Sequence, residues 1–514
     1  MNKLKIKYPM TALFFLALIT QVIITYFSGI PRPRSYDEFH FLFAADTFAR
    51  GLLTNPAHPL WFFFDKGVMI NTPTFMIKYQ PGPGFFLALG QVLFGEPFYG
   101  VIFSICLFAG SFYWLLRSII PQHIAFPCAL FIVAYFATNY WGRSYWGGAL
   151  EASGACLVLG SYLYSRNAQK LSKALQLGLG CALLFFTRPF EGGVFFIAVL
   201  LCCILDIYKR NISLNNSSRF LIISMTAAIL ILSFQGLYNY KITGSVKTMP
   251  YVLYMRQSAT APVFWLQKQL TPEIKPHTRF GKDFNCTWRD LSGYKKIAAL
   301  SPGRKLLVFA SRTFNTLFLL PFFPFVLLAA MPWSGLDSLS RRLWFTILIG
   351  SSASALVVWQ FTHYLAAIIA AMLTLVAYTI SRTEAEIGAP HKTKIFFSGA
   401  LLLLCGIYLL AGLQNMNKVL DKEMTTFPKQ RYETARHLNS LPTNNLVFVR
   451  YADDYRFFEQ WVYNTGNIDA QKTVFAYDFG RRENQKLIDY YRSLGQHRTI
   501  WLLDVDHGAK LAAY

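Results

Sequence analysis

The sequence predicts an α-helical polytopic membrane protein that ends in a small α/β domain. Three observations lead there. The 514 residues are 54% hydrophobic and 15% charged, where a soluble domain carries about 25% charged residues. Mean hydropathy is +0.34, and the apolar residues form long runs near the ~20 residues a bilayer demands. Beyond residue 413 the runs shorten and alternate with polar turns and helix-like stretches, the pattern of a small α/β unit.

The formal net charge of +23 points to a membrane surface. Lys and Arg gather beside the apolar runs, where the positive-inside rule and anionic head groups place them, so no nucleic-acid partner is expected. Of eight cysteines, Cys106, Cys128, Cys156, Cys181, Cys202, Cys203 and Cys405 lie in apolar runs and Cys286 in a polar loop. No CxxC occurs, so neither a disulfide framework nor a zinc site is indicated.

Taken in order, Lys3, Lys5 and Lys7 precede an apolar run at 9–30. The run is long and lacks a small-residue cleavage site, so it reads as a retained signal anchor with a cytoplasmic start. Residues 31–83 are too polar and proline-rich to span, and with the next segment they form a first outer loop, 31–96. Residues 84–94 are apolar over half a bilayer thickness and read as an interfacial or re-entrant helix. Treating them as a half-span puts Arg117, the 165–173 segment and 208–210 inside, as the positive-inside rule prefers. Spans follow at 98–119, 124–137, 149–164, 174–186, 192–207, 220–238, 306–330, 343–359, 364–380 and 395–413, about eleven with the first. Residues 239–304 form a second large outer loop. Residues 414–514 form an outer α/β domain with apolar runs at 446–449, 473–476 and 499–503 and a helix near 484–494. It has no phosphate-binding glycine motif, and Asp453, Asp454 and Asp478 read as solvated loop acids.

The first outer loop carries the most chemistry. Asp37-Glu38 follows the first span directly. At a helix start such a pair is ordinarily a solvated complement to the helix dipole, but this one sits at the membrane surface. The loop returns through Lys78-Tyr79-Gln80-Pro81, and its Trp61 to Phe64 run suits the interface. A second group, Asn139 to Gly148, holds Arg143, Trp146 and paired glycines that permit close backbone approach. Its aromatics suit sugar stacking or an aromatic belt equally. Glu151 lies one turn into the next span, where an ionisable group marks a functional site by default. Arg188 and Glu191 have ion-pair spacing, and His363-Tyr364 opens a late span, where a lone His is usually a hydrogen-bonded cap. An outer-face acid with Lys and Arg suits sugar transfer from a lipid phosphate: the carboxylate takes the acceptor proton, and the cations hold the phosphate.

At these residues the sequence resembles the GT-C superfamily of membrane glycosyltransferases, protein O-mannosyltransferases and lipid A aminoarabinose transferases above all. The shared features are a first span, an outer loop opening on acids, here Asp37-Glu38, a Lys-x-x-Pro-like return, here Lys78 to Pro81, and repeated spans. The likeness covers roughly residues 1–195. It implies that Asp37 is the acceptor-activating base with Glu38 its partner, and that Lys78 contacts the lipid phosphate. Arg143 and Arg188 are further phosphate-binding candidates. Tyr79, Trp146, Glu151, Glu191, His363 and Tyr364 are candidate substrate contacts. Relatives often add an acid in the second short outer loop; this chain offers Arg143 and no acid before Glu151. The donor would be a polyprenyl-phosphate-linked sugar and the acceptor a glycan, lipid or protein. Many members need no metal, and no cofactor is expected; were a divalent metal used, Asp37 and Glu38 would contribute ligands. Trp146-Gly147-Gly148, Arg188 to Gly192, His363-Tyr364 and Trp461-Val462-Tyr463-Asn464 also resemble a group of bacterial membrane proteins of unassigned activity, which implies a bacterial inner-membrane protein; the span count and loop charges then place the C-terminal domain in the periplasm.

Two other functions share parts of this pattern. A transporter or flippase of a lipid-linked glycan calls for internal repeats and midplane charges; no repeat is visible. A glycan polymerase or ligase would use the second outer loop, where Arg256, His277, Arg279 and Lys282 lie.

Overall fold

The protein is described by a computed structural model at residues 8–65, 69–165, 171–209, 217–271, 273–274, 289–318, 320, 325–326, 336–358, 361–388, 391–423, 427–452, 459–505 and 509–514. His277, Arg279, Lys282, Cys286, Asp453 and Asp454 lie outside the described residues, as does part of the expected span at 306–330. The seven described cysteines are free thiols.

Helix α1 (Pro9–Ser28) begins on a proline, which is tolerated in the first turn because that N–H has no helical partner. Its 20 residues reach about 30 Å, the thickness of the hydrocarbon core. Helix α2 (Tyr36–Ala49) lies in the first loop. It is followed by three short strands, β1 (Asn55–Pro56), β2 (Met69–Ile70) and β3 (Thr74–Ile77), paired antiparallel in the order β1–β3–β2. The sequence reading missed this sheet, since strands of two to four residues are too short to show a period of two. It matters because β3 delivers Lys78-Tyr79-Gln80 to the start of α3 (Pro81–Phe94).

A helical bundle follows: α4 (Phe98–Leu116), α5 (Gln122–Phe136), α6 (Gly148–Ser165), α7 (Leu171–Thr187), α8 (Pro189–Tyr208) and α9 (Ser217–Thr243). Two helices of the second loop come next, α10 (Pro250–Gln257) and α11 (Arg289–Ala298), and then α12 (Pro302–Phe318), which begins at the end of that loop. Then come α13 (Ser338–Ala355), a 3-10 turn at Thr362–Leu365, α14 (Ala366–Glu386) and α15 (His391–Glu423). Among the described residues, five helical stretches are long and apolar enough to cross a membrane: α1, α4, α8, Thr362–Glu386 and Thr393–Met416. The remaining expected spans that are described, in α5, α6, α7, α9, α12 and α13, are helical but shorter or less continuously apolar.

Contacts fix how the helices run. Arg143 holds the C-terminal end of α1 through Thr25, Ser28 and Gly29 and lies 5.2 Å over the Phe98 ring at the start of α4. A side chain on Gly110, late in α4, would meet Met10, early in α1. So α4 runs antiparallel to α1. Helix α3, about 21 Å long by its 14 residues, therefore does not carry the chain to the other end of the bundle. Helices α5 and α15 run parallel: Ser398 bonds the His123 carbonyl at 2.9 Å, and Cys405 the Pro127 carbonyl at 3.5 Å. The end of the bundle away from α2 carries Lys173 over Tyr164 (3.9 Å), Arg342 paired with Asp206, and Arg382 with Asp337 (3.7 Å).

Helix α15 continues past residue 413 to Glu423, and α16 (Phe427–Ser440) is the next described helix. The apolar runs at 446–449, 473–476 and 499–503 fall on β4 (Asn444–Arg450), β5 (Thr473–Tyr477) and β6 (Arg498–Asp504). Helix α17 (Arg481–Ser493) joins β5 to β6, and β7 (Lys510–Ala513) closes an edge. The order is β5–β4–β6–β7, with only β7 antiparallel. This sheet shares its core with the first loop. Phe63 and Phe64 are buried, and Phe63 lies 5.4 Å from Phe479 and 6.2 Å from Phe448. The interfacial reading is thus corrected for Phe63 and Phe64, which wedge under the sheet, while Trp61 and Phe62 are half-buried. Asp478 is corrected too. It is an almost buried acceptor for Arg450, Gly480 and Asn484, not a solvated acid.

Candidate functional site

Helix α2 begins with Ser35 as N-cap and Glu38 three residues on, a capping box. Glu38 is 3% exposed. One of its oxygens accepts the N–H groups of Arg34 (2.6 Å) and Ser35 (3.2 Å), and the other accepts the Tyr145 N–H at 3.1 Å. The last bond ties the 139–148 loop to α2. Trp146 adds a second tie by donating its indole N–H to Ser35 Oγ at 3.1 Å. The loop can lie this close because Gly147 has φ +80° and Gly148 leaves room for Trp141, whose ring a Cβ would meet at 2.5 Å.

With Glu38 turned to the cap, Asp37 faces a cavity of about 960 Å³. The cavity brings together Asp37, Lys78, Tyr79, Trp146, Arg188, Glu191 and Tyr364 from five separate chain segments. Asp37 Oδ1 accepts a hydrogen bond from the Tyr79 hydroxyl. Burial raises the Asp37 pKa above the ordinary carboxylate value, against the opposing pull of Tyr79, Lys78 and Arg188. Burial and the neighbouring Asp37 hold the Tyr79 hydroxyl far above its ordinary pKa, so it stays a donor. Tyr79 is itself fixed by stacking on Phe41 at 5.2 Å and by Tyr238, which bonds its carbonyl at 3.3 Å.

Lys78 and Arg188 are framed by aromatic faces. Lys78 is 4% exposed, with its ammonium 4.0 Å from the Tyr254 ring centre, 5.2 Å from Tyr251 and 5.3 Å from Tyr79. The Arg188 guanidinium lies 3.7 Å over Tyr364, 3.6 Å from Glu151 and 3.9 Å from Glu191. Cation–π contacts of this kind hold a charge in place without discharging it. The lining also includes the apolar side chains of Met249, Val252, Val357 and Val358.

Four predicted site residues do not line the cavity. Glu38 is the cap acceptor just described. Arg143 is engaged at the C-terminal end of α1, with bonds of 2.6–3.0 Å, and a phosphate there would have to displace it. Glu151 sits behind Arg188. His363 is 6% exposed, 3.3 Å from the Tyr140 hydroxyl and 5.0 Å from the Trp146 ring centre, a packed residue under the cavity wall. The cavity also recruits Tyr36, Tyr251, Phe361, Arg256 and Arg312. Arg256 was noted in the sequence only as a polymerase feature. Tyr251 and Tyr254 carried no legible signal, because their partner Lys78 is more than 170 residues away. Among the described residues no group of His, Cys, Asp and Glu could hold a metal ion.

The split between the two acids makes opposite stability predictions. Glu38→Gln replaces one acceptor oxygen with an NH₂ facing a backbone N–H, and should cost about 2–3 kcal/mol, the penalty for a buried hydrogen-bond mismatch. Asp37 has a folded-state pKa above its unfolded value. Its contribution to stability is complete below pH 3.8 and is lost as pH rises through the folded pKa. Asp37→Asn should therefore melt higher than the native protein at pH 8, with the gap closing as pH falls toward 4. Thermal melts in detergent check both; a large destabilisation by Asp37→Asn at pH 8 contradicts the assignment.

No family model and no curated protein matches the chain. Solved structures of like form do. The apo structure of ArnT from Cupriavidus metallidurans superposes with a TM-score of 0.51 at 12% identity, over 96% of this chain and 93% of that one. ArnT bound to undecaprenyl phosphate gives 0.47 at 12% identity, over 97% and 93%. The apo oligosaccharyltransferase of Archaeoglobus fulgidus gives 0.43 at 11% identity, over 88% of this chain and 63% of its own length. At such identities the likeness concerns fold alone: the chain shares the overall fold of apo ArnT.

Proposed function

We propose that this chain is a membrane glycosyltransferase that moves a sugar from a polyprenyl-phosphate-linked donor to an acceptor hydroxyl on a glycan, lipid or protein. One observation carries the reading: a half-buried carboxylate, Asp37, shares a cavity with two aromatic-framed cations, Lys78 and Arg188. Asp37 takes the proton of the acceptor hydroxyl on Oδ2, while Tyr79 holds Oδ1. The acceptor oxygen attacks the anomeric carbon. The bond from that carbon to the phosphate oxygen breaks, and its electron pair leaves on polyprenyl phosphate. Lys78 and Arg188 offset the charge that develops there. The wall of Met249, Val252, Val357 and Val358 suits the first isoprene units of the lipid. Glu38 is occupied by backbone donors, and with Asp37 used as the base the acceptor displaces the phosphate in a single step, which inverts the anomeric centre.

The charges at the far end of the bundle support an orientation. Arg117, Lys173, Arg341, Arg342 and Arg382 gather there, and the positive-inside rule makes that end cytoplasmic. The cavity, the second loop and the C-terminal sheet then face the periplasm of a bacterial inner membrane, with about eleven spans. A periplasm-active reporter fused after Tyr514 should be active; a silent one beside a working cytoplasmic reporter overturns this orientation.

The function is tested with a panel of labelled undecaprenyl-phosphate sugars in membranes containing the protein. Asp37→Asn should cut transfer by about 100-fold or more, the scale of lost general-base catalysis, with normal insertion and an inverted product from the native enzyme. Undiminished transfer by that variant sinks the base assignment. Tyr79→Phe removes a hydrogen bond that lowers the Asp37 pKa. The base works only when ionised, so the acid limb of the pH–rate profile should move to higher pH. An unmoved limb means Tyr79 does not act through Asp37.

A further inference from the structure

The run Trp461-Val462-Tyr463-Asn464 lines no part of the cavity, yet it is fixed on both sides. On the sheet side, Asn464 straddles β5. Its amide donates to the Phe475 carbonyl at 2.8 Å, and its oxygen accepts the Phe475 N–H at 2.9 Å. The Trp461 N–H donates to the Tyr451 hydroxyl at 3.0 Å, and the Thr465 N–H to Gln471 at 3.1 Å. Residues 461–466 are in effect a strap riveted to the sheet.

The other side of the strap meets α2. The Tyr463 ring lies 4.6 Å from Phe39. Arg431 of α16 sits 4.6 Å over Phe39 and 5.3 Å from the Tyr463 ring, and donates to the Tyr463 carbonyl at 3.4 Å. Two turns along α2, the Gly466 N–H donates to Asp46 at 3.0 Å, and Asp46 also pairs with Arg50 at 3.2 Å. Gly466 is closely fitted: a Cβ there would lie 2.3 Å from Arg50 Nη2 and 2.7 Å from Thr47 Oγ1. Phe39, Asp46 and Arg50 share one helix face, being seven and four residues apart. Asp37 stands two residues before Phe39, about 200° around the helix, and so faces away from the strap and toward the cavity. A helix of 14 residues is marginal by itself in water, so its rotation depends on what grips it.

We infer that the 461–466 strap and Arg431 form a clamp that holds α2 in the rotation directing Asp37 into the cavity. Arg431, Tyr463 and Gly466 are positioning residues. The C-terminal sheet is part of the active-site scaffold and not an appended module. The catalytic consequence rests on the proposed role of Asp37; the clamp itself does not.

The test uses the full-length protein in lipid nanodiscs. Hydrogen–deuterium exchange is followed in residues 36–49 and in β4 for Tyr463→Ala and Gly466→Ala. Exchange in 36–49 should rise at least threefold with β4 unchanged. Binding of undecaprenyl phosphate should stay within twofold, while turnover of the panel sugar that supports transfer falls tenfold or more. Arg431→Lys, which keeps the cation over Phe39, should recover most of the turnover that Arg431→Ala loses. Gly466→Ala leaves every sheet contact in place and so separates the clamp from general unfolding. Native exchange in 36–49 for both variants overturns the inference, as does loss of β4 protection in step with α2. Loosened α2 together with full transfer by Asp37→Asn overturns the role of Asp37 and leaves the clamp standing.

Discussion

The site depends on one local constraint, the capping box at the start of α2. Glu38 gathers three backbone N–H groups, two from the turn before the helix and one from Tyr145. Such charge-assisted bonds are among the stronger ones a protein makes. They fix where α2 begins, and so which way each residue of its first turn points. They also fasten the 139–148 loop, and with it Trp146, to the same spot. Adjacent residues on a helix point about 100° apart. Once Glu38 is committed to the cap, Asp37 points elsewhere, and the place it reaches is the cavity.

The cavity repeats one electrostatic device. Each charge meets a neighbour that orients it. Asp37 has the Tyr79 hydroxyl, Lys78 has three tyrosine faces, and Arg188 has the Tyr364 face with carboxylates at 3.6 and 3.9 Å. The groups come from α2, the turn after β3, the junction of α7 and α8, and the start of the Thr362–Glu386 stretch. An arrangement assembled from such distant segments is preorganised only if each segment is held rigidly. The small β1–β3–β2 sheet does this for Lys78, and the strap from the C-terminal sheet does it for α2.

The sequence conveyed the class of fold, because hydropathy over about 20 residues is a strong signal. It also conveyed Asp37, Lys78, Arg188 and Tyr364, each ionisable or aromatic next to a span. The division between Asp37 and Glu38 was written there as Ser35-x-x-Glu38, the spacing of a capping box, but two adjacent acids looked equivalent without it. Arg143 resembled a phosphate ligand because its true partners, at the end of α1, lie over a hundred residues earlier. Trp61 to Phe64 resembled a belt because aromatic residues favour interfaces and cores alike. The tyrosines that frame Lys78 were invisible, since proximity across 170 residues leaves no local trace in a single sequence.

The most direct test of the account is a cryo-electron microscopy structure of the protein with undecaprenyl phosphate. The account predicts phosphate density touching both Lys78 and Arg188, the Tyr79–Asp37 bond intact, and Glu38 still on its three backbone donors. Phosphate bound at Arg143, or Glu38 swung out of the cap to meet the ligand, would contradict it.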